Sequence, residues 1–361
     1  MIQKANTAVI CLSPYQGGME LDALHLSQMF SEISNVTLIA KKGTFIAQTF
    51  LAQDEHHGVV LHTIDFKRSL SYTLFSQIRQ IIKEKSIKNV LFLGASELKS
   101  LYFSFLGLEI NLIIRHGTTK STPKKDWFHK LIYSDVHYHI AICEHLGRNV
   151  EKIIPFGSKT KLKVIYPSLN LTPKTEIDFK NRPHQPIQIL HVGRIADGKG
   201  QITALKACEI LYKNNIDFMF NIAGGFDAPF KARFLEYLET LEYKEQINLI
   251  GHTSEIENHY LNNDIFLFPS EGEGLSNAFI EAMVYGLSAI SFDNTSFPEL
   301  QDLGFSFKLV EDQNIEALKE ALLENALKYQ EQIDANQKNA LLSLQLFSKE
   351  RELLAFSEIL L

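Results

Sequence analysis

The chain has 361 residues, more than one core usually organises, and its composition (45% hydrophobic, 22% charged) is that of an ordinary soluble globular protein, so two domains are expected. Apolar runs such as NVLFLG and INLIIR fall short of a membrane span, and the first apolar run is too short and too early broken for a signal peptide. The net charge of −6 is unevenly spread: residues 1–170 carry 20 Lys and Arg against 13 Asp and Glu, residues 171–361 carry 16 against 29, and such asymmetry points to a charged partner.

Along the first half, TAVICLS, VTLIAKK, VVLHTID, KNVLFLG, INLIIRHG and YHIAICE read as strands. Between several of them lie helical patterns, such as YTLFSQIRQIIKEK with Leu74, Ile78 and Ile81 on one face. Strands that are apolar on both faces and flanked by helices predict a parallel sheet covered on both sides. Residues 166–186 contain four prolines and read as a linker. PIQILHVG, QITALKACEILYKN, FMFNIAGG, PFKARFLEYLETLEY, INLIGH and DIFLFPS then restart the alternation, followed by SNAFIEAMVYG, SAISFD and IEALKEALLENAL. This reads as a second doubly wound sheet over 187–340. Residues 341–361 read as a long helix with Leu342, Leu346, Leu353, Phe356 and Leu360 on one face. The expected architecture is α/β, with two Rossmann-like domains (1–165 and 187–340) facing each other across a cleft. Cys11, Cys143 and Cys208 lack metal-ligand spacing and are expected to be buried thiols in a reducing cytoplasm.

HVGRIADGKG, residues 191–200, satisfies the first seven positions of a phosphate loop with Gly193, Gly198 and Lys199. Its eighth residue is Gly200, which has no hydroxyl for magnesium. A triphosphatase also needs an acidic residue at the end of another strand, and Asp264 in DIFLFPS precedes its strand instead. That reading is the weaker one. The other takes Arg194 and Lys199 as a pair at the C-terminal end of a strand, a rigid donor fork and a mobile charge suited to a diphosphate. Gly198 and Gly200 then let the turn close without side-chain obstruction.

FPSEGEGLSNAFIEAMVYG, residues 268–286, is more specific. A strand ends at Pro269, a glycine-rich loop follows, and the amides of Gly274, Leu275, Ser276 and Asn277 open a helix toward an anion. Glu273 lies in that loop, and Glu281 lies eight residues on in an apolar stretch of the helix, where a carboxylate needs a partner. Carboxylates at a phosphate site, without metal ligands, suit the hydroxyls of a ribose or a sugar. Together these residues describe a nucleotide-sugar site.

With these motifs the chain resembles the family-4 glycosyltransferases, retaining enzymes of GT-B architecture. Glu273 and Glu281 match the family's E-x7-E motif, Gly193-Arg194 and Lys199-Gly200 its GR…KG motif, GGMELDALHL its glycine loop at Gly17 and Gly18, and RHG at 115–117 its histidine segment. AICE at 141–144 stands for the more usual A-x-S-E, Ser288 stands where proline is common, and DNTSFPEL lacks a usual glycine pair. The resemblance implies that Arg194 and Lys199 neutralise the departing diphosphate, that Glu281 binds the ribose and that Glu273 positions the donor sugar. Gly17 and Gly18 would approach the diphosphate from the other domain, and His116 would face the sugar near the reacting carbon. It further implies a terminal helix returning to the N-terminal domain, and a leaving phosphate that accepts the acceptor's proton. The chain has no D-x-D, so transfer without a metal or other cofactor is expected.

The acceptor side offers KSTPKKDWFHK, residues 120–130, where Lys120, Lys124, Lys125 and Lys130 accompany Trp127 and Phe128. Two readings stand side by side: a solvated loop leading into a core-facing helix, and a contact with an anionic membrane surface. No nucleic-acid module accompanies it, so nucleic acid is not an expected partner. The expected activity is transfer of a hexose-type sugar to a surface-glycan or lipid-linked glycan acceptor, as in lipopolysaccharide or capsule biosynthesis. The expected place of action is the cytoplasm or, as a peripheral protein, the inner face of its membrane. A nucleotide-sugar epimerase of the same architecture and a non-catalytic nucleotide-sugar-binding protein are the alternatives.

Overall fold

A computed structural model describes residues 4–361 except 95, 170–176 and 180. The chain divides into two compact units, Met1–Pro167 with Lys349–Leu361, and Ser168–Ser348. By these boundaries the first unit carries a net charge of +6 (22 Lys and Arg, 16 Asp and Glu) and the second −12 (14 and 26).

The first unit alternates β1 (Ala5–Cys11), α1 (Gly18–Phe30), β2 (Ser34–Lys41), α2 (Phe45–Leu51), β3 (Val60–Ile64), α3 (Tyr72–Glu84), β4 (Asn89–Leu93) and α4 (Leu98–Phe105). It continues through β5 (Asn111–His116), α5 (Trp127–Ile132), β6 (Val136–Ala141), α6 (Glu144–Ile153) and β7 (Lys161–Val164). The sheet is parallel throughout, in the order β3-β2-β1-β4-β5-β6-β7. Alternate residues of β1 feed two separate cores: Ala8 and Ile10 join the one under α3 and α4, while Val9 and Cys11 join the one under α1 and α2. Both faces are covered, which is why the strands read as continuous apolar runs.

The second unit runs β8 (Ile187–Val192), α7 (Gln201–Lys213), β9 (Phe218–Ala223), α8 (Ala228–Glu239), β10 (Ile247–Gly251), α9 (Ile256–Leu261) and β11 (Ile265–Phe268). Then follow α10 (Asn277–Val284), β12 (Ser288–Phe292), α11 (Phe297–Asp302), β13 (Lys308–Val310), α12 (Ile315–Leu327) and α13 (Ile333–Leu346). Its sheet order, β10-β9-β8-β11-β12-β13, reverses direction between β8 and β11. Ligands of open α/β sheets bind at such a point, beyond the strands' carboxyl ends.

Two sequence expectations need correction. The helix read over 341–361 is two helices, because the shared apolar face hides a break at Phe347–Ser348; α13 packs on α10, and α14 (Lys349–Leu360) belongs to the first unit. Phe356 of α14 meets Phe30 edge-on, with ring centroids 4.9 Å apart. The carbonyls of Ile359 and Leu360, left without partners at the helix end, accept bonds from Asn111 and Asn89 at the starts of β5 and β4. Of the linker expected over 166–186, residues 170–176 and 180 lie outside the described residues. Its last part is fixed rather than free. Arg182 is buried and donates to the carbonyls of Tyr260, Leu261 and Tyr285, which close α9 and α10.

Candidate active site

The loops that follow β8 and β11 meet at the reversal of the second sheet. Gly200 has a left-handed φ of 81°, and a Cβ there would stand 2.0 Å from the carbonyl oxygen of Pro269. No other residue fits so close a backbone approach. The Glu271 amide donates to the Gly198 carbonyl at 3.0 Å, and the Ser270 hydroxyl donates to the same oxygen at 3.3 Å. From the loop after β12, Asn294 donates to the Ser270 carbonyl and the Thr295 hydroxyl accepts the Glu273 amide. The glycine-rich stretch is thus braced from both sides.

Lys199 and Glu273 form an ion pair with Nζ and Oε1 2.7 Å apart, and the one Ser270 hydroxyl proton is shared between that carboxylate oxygen, at 3.1 Å, and the Gly198 carbonyl. Arg194 projects into solvent and makes no ion pair among the described residues. Under this loop, buried His191 and Gln201 form a support that the sequence reading missed. His191 Nδ1 donates to the Leu267 carbonyl, and Gln201 bonds both His191 Nε2 and the Arg194 carbonyl. Burial pushes the His191 imidazole down to about 4, so it is the neutral ring that holds the two loops in register. Its only signals were a histidine inside the apolar strand ILHV and a glutamine opening α7.

After β11, Ser276 caps α10 by accepting the Phe279 amide, while Gly274, Leu275 and Asn277 complete the turn into the helix. Glu281 is drawn into the protein, where burial raises its carboxyl pKa and a bond from the Tyr260 hydroxyl, 2.9 Å from Oε2, partly offsets this. Tyr260 stacks on Tyr285 with centroids 5.3 Å apart. The partner demanded by a carboxylate in an apolar helix is therefore Tyr260, 21 residues upstream and outside any motif. Asp264, the nearest thing to a triphosphatase acid, is fully buried and accepts from the amides of His184 and Gln188 and from His184 Nδ1. It anchors the chain entering β8 and faces no ligand loop. Ser288 spends its hydroxyl on Gln332.

In the first unit, Gly17 precedes α1 and Gly18 opens it, with open space where a Gly18 side chain would stand. Arg115, at the end of β5, is buried between Asp22 of α1 and Glu352 of α14, at 2.5 and 3.0 Å. Next to it, His116 is only 2% exposed. The expectation that it faces a sugar meets a ring with both nitrogens engaged: Nε2 bonds His139 Nδ1 at 2.9 Å, and Nδ1 lies 3.0 Å from Lys120 Nζ. Burial, with Lys120 second, holds the His116 imidazole well below its ordinary value.

The basic segment also divides in a way its composition hides. Lys120 is not a surface lysine: Asn149 of α6 bonds both its amide and its carbonyl at 2.9 Å, directing the amine inward. Lys124 is half-buried as well. Lys125 and Lys130 are exposed, as are Trp127 (76%) and Leu131 (40%) one turn apart on α5, while Phe128 packs on the core. Only these outward residues remain candidates for a membrane contact. All three cysteines are buried, and none forms a disulfide among the described residues. Among the described residues, no helix is long and apolar enough to cross a membrane, and no group of three or more His, Cys, Asp or Glu is arranged to hold a metal.

Residues 173–340, which hold both ligand loops and Glu281, match the family model described as glycosyl transferases group 1. The matched stretch covers a little under half of the chain. Among curated relatives of this chain, the amylovoran biosynthesis glycosyltransferase AmsK of Erwinia amylovora is 29% identical over 181 residues, 48% of this chain and 44% of that protein. The capsular polysaccharide biosynthesis glycosyltransferase CapH of Staphylococcus aureus is 23% identical over 271 residues, 71% of this chain and 74% of that one. The match to AmsK thus spans less than half of that relative's length. A glycosyltransferase of Rickettsia africae has the same fold, with a TM-score of 0.82 at 17% identity over 99% of this chain and 98% of that one. HepE of Anabaena, solved with UDP, gives 0.82 at 14% identity over 99% of each chain. This chain therefore has the GT-B fold of two Rossmann-like units.

Proposed function

We propose that this protein is a retaining glycosyltransferase that moves a sugar from a nucleoside-diphosphate sugar to a surface-glycan or glycolipid acceptor without a metal. The observation that carries the proposal is the joining of a Lys199–Glu273 pair across two ligand loops at the sheet reversal. In this reading the diphosphate takes Lys199 from Glu273 and gains Arg194, while the released carboxylate turns to the sugar's hydroxyls. Glu281, held by Tyr260, accepts from the ribose. As the anomeric C–O bond breaks, charge grows on the leaving phosphate, and Arg194 and Lys199 stabilise it more than in the ground state. The acceptor oxygen bonds the anomeric carbon from the leaving group's face and passes its proton to that phosphate.

UDP-sugars are the first donors to test, because HepE was solved with UDP and with UDP-glucose. Screening nucleotide-sugars for thermal stabilisation, then fixing the anomeric configuration of the product by NMR, tests the proposal. Release of an altered nucleotide-sugar without acceptor would instead identify an epimerase. We also place the work of the first unit, at +6, on an anionic membrane surface through Lys125, Lys130, Trp127 and Leu131. Sedimentation with anionic vesicles at low salt, lost in Lys125→Glu/Trp127→Ser, is the expected result. Equal sedimentation of wild type and variant would remove this face from the proposal.

A further inference from the structure

Lys120 and Lys124 stand apart from the other lysines of their segment. Both amines are half-buried, and neither has a carboxylate partner among the described residues; the charge acting on Lys120 is that of Lys124. Two withdrawn, like-charged amines without a counter-ion are costly to hold together. The fold nevertheless fixes them firmly. Asn149 clamps the Lys120 backbone on both sides, and the Lys124 amide donates to the Ile153 carbonyl at the end of α6. The Lys120 amine also rests on His116.

An ammonium can only donate, so His116 Nδ1 accepts and Nε2–H donates to His139 Nδ1. This leaves the proton of His139 on Nε2, a buried atom without a partner. The chain of donors therefore runs one way, and no acid terminates it. The cluster lies beyond the carboxyl end of β5, beside the exposed residues Gly117, Thr118 and Thr119, on the side of a parallel sheet where ligands bind. A Cβ on Gly117 would meet nothing within 4 Å, so the approach to the loop is open.

We propose that Lys120 and Lys124 form an anion-binding subsite in the first unit, and that it takes a phosphate or carboxylate group carried by the acceptor. The proposal deepens the glycosyltransferase reading and rests on it. The missing counter-charge is then supplied by the substrate. His116 acts as a positioning residue that sets the Lys120 amine.

Burial, followed by Lys124, lowers the Lys120 amine to about 8, and an incoming anion restores its hold on the proton. The groups facing it are His116 from β5, His139 from β6, Lys124 from its own loop and the neutral Asn149 from α6, with His145 nearby at Thr119. Both histidines are held neutral, His139 near 3, so Lys120 is the group that titrates between pH 7 and 9. Anion affinity is full below about 8 and is lost above it. Over that interval the protonated fraction, and with it the affinity, falls about tenfold.

The test is calorimetric titration of the full chain, saturated with UDP to fill the donor site, with methyl phosphate, methyl β-glucuronide and neutral methyl β-glucoside. One of the two anions is expected to bind, identifying phosphate or carboxylate as the group. Its affinity should fall at least tenfold in Lys120→Gln, severalfold in Lys124→Gln, and about tenfold in wild type from pH 7 to pH 9. UDP affinity should be unchanged in both variants, which also shows that they fold. Binding of neither anion, or equal binding in the variants, would overturn the subsite while leaving the transferase reading in place. Loss of UDP affinity in the variants would assign the lysines to the donor and equally overturn it. Failure of wild type to bind any nucleotide counts against the transferase reading, and titration without UDP then still tests the lysines.

Discussion

Replacing Glu273 with Gln separates the two jobs assigned to the Lys199–Glu273 pair. The side chains keep 30% and 15% of their exposure and their charged atoms are 2.7 Å apart. Coulomb attraction at that distance is about 1.5 kcal/mol even at the dielectric of water, whereas exposed pairs typically deliver about 0.2–1 kcal/mol. About 1 kcal/mol is therefore the cost of taking Lys199 from Glu273, equivalent to about fivefold in affinity. Glu273→Gln keeps the shape of the loop and removes this competitor, so UDP should bind about fivefold more tightly to the variant. The intact nucleotide-sugar should not share the gain, because the carboxylate proposed to receive its hydroxyls is gone. Calorimetry with both ligands on wild type, Glu273→Gln and Glu281→Ala reads the difference. If Glu273→Gln weakens UDP as much as Glu281→Ala does, Glu273 touches the nucleotide and the division of roles is wrong.

Glu281→Ala should weaken UDP and the intact donor alike, since the ribose is common to both, and paired titrations check this. Because burial raises the Glu281 pKa in the folded state, its contribution is favourable below the ordinary carboxyl value and is lost as pH rises through the raised one. Glu281→Gln should accordingly gain more melting temperature at pH 7 than at pH 4, as thermal unfolding at the two values will report. Glu352→Gln leaves a buried guanidinium with one carboxylate instead of two and should cost about 3 kcal/mol, seen as a lower melting temperature of the first unit. Chelator should leave transfer intact, and loss of activity restored by magnesium or manganese would contradict the reading.

Alternating apolar runs made most strands legible, but β7 escaped because Lys161 and Lys163 break its pattern on an edge strand. The break before α14 escaped for the opposite reason: the apolar period continues through it without Gly or Pro. Gly200 was readable as a turn glycine, yet the Pro269 carbonyl that demands it lies 69 residues away in the chain. Motif spacing singled out Glu273 and Glu281 as candidates but not Tyr260, whose hydroxyl belongs to no local pattern. Lys120 was read with its neighbours as a surface charge, because composition averages over a segment whose lysines point to opposite sides. What turns it inward is Asn149, from another helix.

The capping of α14 by Asn89 and Asn111 also bears on how the chain is made. The first unit is interrupted by the whole of the second, so residues 349–360 leave the ribosome only after residues 168–348. Until then, the part of the first core that Phe356, Ile359 and Leu360 cover lies open, and Arg115 waits for Glu352. Domains ordinarily mature in the order of synthesis, but here the later unit closes before the earlier one. Nascent chains stalled before residue 349 should hold a protease-resistant second unit behind a first unit that is still cleaved.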